Sequence, residues 1–125
     1  MIQGIGTDIV AVARVRRMWE RHGEQAVVRL LAPDELPAFS CAGDKARFLA
    51  KRFAAKEAFA KAFGTGLRPP ALLGAIAVAN DELGKPSLRF HGDLDQIVRA
   101  RGLTAHLSIS DEADYAVAFV LLEKA

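Results

Sequence analysis

Asp8, Glu57 and Lys61 are the charged side chains whose surroundings in this chain point to chemistry. The run Phe53-Ala-Ala-Lys56-Glu57-Ala-Phe-Ala-Lys61-Ala-Phe-Gly64-Thr65-Gly66 reads as a helix closed by a glycine-rich turn. Residues four apart share a helix face, so Glu57 and Lys61 are neighbours and Gly64 continues their stripe one turn later. Gly64 suits a left-handed helix cap. Thr65-Gly66 then lets the backbone pass close to a ligand with no Cβ in the way, and the turn should offer its amides. A carboxylate, a lysine and backbone amides in this order suit a metal ion and a phosphate. An ordinary exposed Glu–Lys pair before a glycine stop would use the same residues, since such pairs are common and stabilise a helix by only a few tenths of a kcal/mol.

The amino terminus tips this balance. Met1-Ile-Gln-Gly4-Ile-Gly6-Thr-Asp8-Ile-Val10 reads as a strand with Ile5, Thr7 and Ile9 on one face and Gly4, Gly6 and Asp8 on the other. Asp8 could simply cap the helix that begins near Ala11. Glycines inside a strand cost stability, however, and mark a place where a ligand or another backbone comes close.

The remaining elements must position these groups. Ala11 to about Arg21 is amphipathic, with Val12, Val15, Met18 and Trp19 inward and Arg14, Arg17 and Arg21 gathered elsewhere. A short helix is expected over Glu24–Leu31, another starting at Pro33-Asp34-Glu35, and a long central helix over Asp44–Phe63 with Phe48, Leu49, Phe53, Phe59 and Phe63 in the core. Ala75–Ala79 and Ser87–Phe90 should pair as a hairpin, followed by a helix near Asp93–Arg101. Leu103–Ser110 alternates strongly, with His106, Ser108 and Ser110 on the face away from the core. Tyr115–Leu122 is apolar on both faces, which one helix layer cannot cover; burial against a second subunit follows. The fold class is α+β, a small antiparallel sheet on a long central helix, in a single domain of 125 residues.

Composition excludes several functions. No apolar run reaches the ~18 residues of a membrane span, and the amino terminus lacks a basic-then-apolar signal, so a cytoplasmic location is expected. Cys41 is the only cysteine, which rules out an internal disulfide and argues against a cysteine zinc site; a net charge of +2 is too small to argue for nucleic acid.

Four motifs in order, Gly4-Ile-Gly-Thr-Asp8-Ile-Val, the central Phe53–Gly66 run, Gly84-Lys85-Pro86 and His106-Leu-Ser108-Ile-Ser110, resemble the holo-[acyl carrier protein] synthases, the short 4'-phosphopantetheinyl transferases. The resemblance runs from about residue 2 to residue 122. It implies transfer of 4'-phosphopantetheine from coenzyme A to a serine of apo acyl carrier protein, releasing 3',5'-ADP, in fatty acid or polyketide synthesis. Asp8 and Glu57 would hold Mg²⁺, and Lys61 would meet the phosphates. The base would be Glu57 itself or a metal-bound water held by it. Arg52 and Gly64-Thr65-Gly66 would lie near the adenosine-side phosphates, Lys85 and Pro86 near adenine, and His106 near the same phosphates. Arg14 and Arg21 would meet the acidic carrier. The family implies a homotrimer with sites shared between subunits. Many relatives carry a histidine where this chain has Asp111. Another Mg²⁺-dependent phosphotransferase or nucleotide hydrolase, or a non-catalytic module that binds an acidic protein, would use some of the same residues.

Overall fold

The computed structural model describes residues 1–125. The chain runs β1 (Ile2–Ala11), α1 (Val12–His22), α2 (Glu24–Leu30), a 3₁₀ turn at Pro33–Glu35, α3 (Leu36–Cys41), α4 (Lys45–Phe63), β2 (Ile76–Asn80), β3 (Pro86–Phe90), α5 (Gly92–Ala100), β4 (Leu103–Asp111) and β5 (Tyr115–Lys124). The antiparallel sheet has the order β1-β5-β4, and β2 and β3 form a separate hairpin. This is the α+β arrangement expected from the sequence.

Helix α4 is the axis of the fold. Asp44 caps it, accepting a hydrogen bond from the Arg47 backbone at 3.0 Å, which supplies one of the partners a helix start lacks. Ala46, Ala50, Ala54, Ala58 and Ala62, each four residues after the last, are all buried. This ridge of small side chains lets the sheet approach the helix backbone closely. Gly4 and Gly6 complete the fit: a Cβ on Gly4 would stand 2.0 Å from the Ala62 carbonyl oxygen, and one on Gly6 2.0 Å from that of Ala58. The two strand glycines therefore admit another backbone.

Register separates the faces of the sheet. Asp8 pairs with Ala118, and Ala118 with Ile109, on the face toward α4. Ile5 pairs with Leu121 and Leu121 with His106 on the opposite face. That outer face also carries Ile9, Tyr115, Val117 and Phe119, all exposed, so the second apolar side of β5 has no cover within one chain.

Candidate active site

The helix α1 starts without a side-chain cap, and its Val12 amide is taken by the Asp114 carbonyl at 2.9 Å. Asp8 is thus not a cap. Its carboxylate turns toward α4, where Lys61 Nζ donates to Asp8 Oδ1 at 3.2 Å and to the Thr7 carbonyl at 2.9 Å. Glu57, one helical turn before Lys61, shares this space. Partial burial holds its carboxyl above the usual carboxylate range and the Asp8 charge adds to that, while Lys61 and Arg14 pull it back down. A carboxyl whose proton affinity is raised by a neighbouring negative charge marks a place where a cation is favoured. The side chains of Asp8, Glu57, Lys61 and Arg14 thus converge at the open edge of β1.

The turn after α4 differs from its expected role. Gly64, at φ 96°, is the left-handed cap predicted from the sequence. Its amide, however, donates to Ala60 and Lys61 carbonyls, and the Gly66 amide donates to Ala60 at 3.2 Å. The terminal carbonyls of a helix lack partners and capture these donors, so neither glycine amide is offered to a ligand. The Thr65 hydroxyl likewise bonds the Gly66 carbonyl, at 2.8 Å.

A second set of residues surrounds a cavity of about 260 Å³, walled by Arg47, Phe48, Lys51, Arg52, Asn80 and Ile109 among others. Arg52 lines it but is already engaged. Its guanidinium lies over the Phe48 ring at 4.4 Å and donates to Glu35 Oε2, the Val78 carbonyl and Asn80 Oδ1. Asp111 sits beside the cavity, bonded to Arg47 Nη1 at 3.2 Å with Lys51 at 3.8 Å. Arg47 also donates to the Glu112 and Ala113 carbonyls, so it ties α4 to the turn between β4 and β5.

The cavity and the carboxylate pair do not meet in one chain. Glu57 follows Arg52 by five residues, about 140° round α4, and β1 and β4 are opposite edges of the sheet. His106 stands apart from Asp8 as well, on the other face of the sheet, with Nε2 at 2.6 Å from Glu123 Oε1. Lys85 is exposed in the β2–β3 turn, and Pro86 begins β3.

Sequence reasoning overlooked a buried ionic hub. Glu35, 1% exposed, accepts from the Ala32 and Val78 amides, from Arg52, and from Lys56 Nζ at 2.5 Å. Lys56, fully buried, also donates to the Leu30 and Leu73 carbonyls. Burial pulls its pKa below that of an ordinary lysine, opposed by Glu35. The hub joins α2, the 3₁₀ turn, α4 and β2 through Lys56, the residue before Glu57.

Comparison with known proteins places this geometry. The family model of the 4'-phosphopantetheinyl transferase superfamily matches residues 4–120. The holo-[acyl-carrier-protein] synthase of Dechloromonas aromatica (strain RCB) is 66% identical over 125 residues, the whole of both chains. That of Aromatoleum aromaticum is 56% identical, covering 99% of each. Among solved structures, the synthase from Neisseria meningitidis superposes with a TM-score of 0.95 at 46% identity, covering 99% of this chain and 100% of that one. The Bacillus anthracis synthase in complex with CoA (3',5'-ADP) gives 0.84 at 35% identity, covering 100% and 99%. By sequence over its full length and by fold, the chain belongs to the holo-[acyl-carrier-protein] synthases of the 4'-phosphopantetheinyl transferase superfamily.

Proposed function

We propose that the chain transfers 4'-phosphopantetheine from coenzyme A to a serine of apo acyl carrier protein in a Mg²⁺-dependent reaction. The observation that carries this reading is the meeting of Asp8, Glu57 and Lys61 at the edge of β1, two carboxylates that feel each other's charge with a lysine bonded to one of them. Asp8 and Glu57 would hold Mg²⁺, a hard cation that takes few protein ligands, and its charge would offset the repulsion between a pyrophosphate and an incoming nucleophile. Lys61 neutralises a phosphate oxygen. The serine oxygen bonds to the phosphorus on the pantetheine side, the bond from that phosphorus to the 3',5'-ADP oxygen breaks, and the hydroxyl proton passes to Glu57 or to water beside it. Alignment of the serine with the phosphorus is the protein's main contribution, because the nucleotide is already a good leaving group.

The carrier approaches over α1. Arg14, Arg17 and Arg21 are exposed and outside any ion pair, whereas Arg16 is bonded to Asp44 at 3.3 Å. Beside them a groove of about 320 Å³ is walled by Met18, Leu30, Phe53 and Leu73. Met18 lies one helical turn from Arg14 and Phe53 one turn from Glu57, so the groove leads from the basic face to the carboxylates. A small acidic carrier with apolar side chains next to its serine fits this surface.

The donor spans two chains. Its phosphates sit at Asp8, Glu57 and Lys61 of one, and its nucleotide end in the Arg47, Lys51 and Arg52 cavity of a neighbour, in a closed homotrimer that covers the apolar outer face of β1 and β5. His106 and the Gly84-Lys85-Pro86 turn then reach the donor from that neighbour. Fatty acid synthesis in the cytoplasm is the setting this reading gives; no helix is long and apolar enough to cross a membrane.

The test is to mix the chain with coenzyme A, Mg²⁺ and apo carrier protein and weigh the carrier. A gain of one phosphopantetheine group is expected; none with any acidic carrier overturns the reading. Mixing an Asp8→Ala chain with a Lys51→Glu chain should restore activity that neither has alone. No restoration, or a monomer in sedimentation, would refute the shared site.

A further inference from the structure

Asn80, the last residue of β2, lines the cavity and bonds to the turn that follows. Its Oδ1 accepts from Arg52 Nη2 at 3.3 Å and its Nδ2 donates to the Gly84 carbonyl at 3.0 Å. The position needs an acceptor toward a guanidinium and a donor toward a carbonyl, which a side-chain amide supplies at once, and these partners fix which way the amide points. Behind Asn80 the arrangement is rigid. Arg52 is pinned by the Phe48 ring, by Val78 and by the buried Glu35 carboxylate, itself held by Lys56 and two backbone amides. Ahead of it lies a turn that leaves the body of the fold, with Leu83 97% exposed at its tip. Asp81 shapes that turn from within, its Oδ1 accepting from the Leu83 and Lys85 amides at 2.9 and 2.8 Å. Beyond the Asn80–Pro86 register pair, the only side chain that ties the turn to the cavity wall is Asn80.

We propose that Asn80 is a positioning residue for the nucleotide end of the donor, transmitting the fixed location of Glu35 and Arg52 to the Gly84-Lys85-Pro86 turn so that the turn is held beside the cavity. The proposal rests on the transfer reading above. It assigns Asn80 no contact with the reacting atoms: the residue acts through Arg52 and Gly84, and its loss frees the turn while leaving Asp8, Glu57 and Lys61 in place.

Two variants test it. Asn80→Ala removes both tether bonds, and Asp81→Ala loosens the turn by a separate route. Each should raise KM for coenzyme A and Kd for 3',5'-ADP about tenfold, as the loss of one or two hydrogen bonds implies, with kcat and KM for the carrier within about twofold of wild type. The double variant should lose little more than the worse single variant, because both act on one turn. Unchanged 3',5'-ADP binding in Asn80→Ala would overturn the proposal. So would a parallel fall in kcat and a rise in both KM values, the pattern of a merely structural residue. A wild-type chain that binds 3',5'-ADP yet modifies no carrier would overturn the transfer reading instead, and the role of Asn80 would then be decided by nucleotide binding alone.

Discussion

Replacing Gly6 with alanine tests the link between packing and chemistry most directly. The added methyl would stand 2.0 Å from the Ala58 carbonyl oxygen and 2.8 Å from the Ala62 amide nitrogen, both backbone atoms of a helix buried along this side. Restoring an ordinary contact of about 3.4 Å requires β1 and α4 to part by roughly 1.4 Å, since neither atom can turn aside as a side chain would. Overpacking of this kind costs about 1–3 kcal/mol, and the backbone contact sets the expectation at the upper end. The same displacement moves Asp8, two residues along β1, away from Glu57 and Lys61 on α4. Mg²⁺ demands ligand distances of about 2.0–2.1 Å, and a misplacement of about 1 Å commonly costs on the order of a hundredfold in rate. Urea unfolding should therefore show a lower midpoint with an unchanged slope. Transfer to carrier protein at a temperature where the variant is folded should fall about a hundredfold, with partial recovery as Mg²⁺ is raised. A variant with wild-type midpoint and wild-type Mg²⁺ dependence would refute the close approach and the coupling of strand to helix.

Three further outcomes are expected. The folded state holds the Glu57 proton more tightly than the unfolded chain does, so its contribution to stability is complete below pH 4.5 and lost as pH rises through the raised folded value; Glu57→Gln should abolish transfer yet stabilise the metal-free chain at neutral pH, the gain vanishing in acid, as urea unfolding in chelator would record. Lys56→Met removes one partner of a buried charge and should cost about 3–5 kcal/mol in thermal or urea unfolding, far more than Lys61→Ala, which should leave stability nearly unchanged and raise KM for coenzyme A; equal costs would contradict the buried hub. Reversal of charge in Arg14→Glu with Arg21→Glu should raise KM for carrier protein and flatten its salt dependence while leaving coenzyme A affinity near normal, and a null result would return these arginines to solvent.

Local pattern carried much of this fold. The period of α1 and α4, the left-handed cap at Gly64 and the alternation of β4 were all readable, because each depends on neighbours within a turn or two. Asp8 and Glu57 came into view for a different reason: two strand glycines signal a close approach, which the structure shows to be that of α4, and Glu57 shares a helix face with Lys61. Glu35 did not. An acidic residue after a proline looks like any helix start, and the partners that give it a purpose, Arg52, Lys56 and Val78, lie 17 to 43 residues away. The glycine amides after α4 were misjudged because local spacing shows that a turn has donors without showing which carbonyls claim them. The separation of His106 from Asp8 depends on the register of three strands, and the β1–β5 half of it joins residues more than a hundred apart, such as Asp8 and Ala118, which no local spacing encodes.

The angular layout of α4 has a consequence for how chain length can vary in this lineage. Going round the helix, one side meets the sheet through its alanine ridge, another carries Lys56 into the hub, a third presents Glu57 and Lys61, and a fourth shows Arg47 and Lys51 to the cavity. A single inserted or deleted residue anywhere between Arg47 and Lys61 would turn everything beyond it by about 100°, exchanging a buried lysine for a solvent-facing one and setting a bulky side chain against the strand glycines. An opposite change further along the helix would still leave the residues between the two changes turned away from their partners. Insertions and deletions should therefore collect in the segment from Gly66 to Leu72 and in other turns, while the distance in residues from Arg47 to Lys61 stays constant.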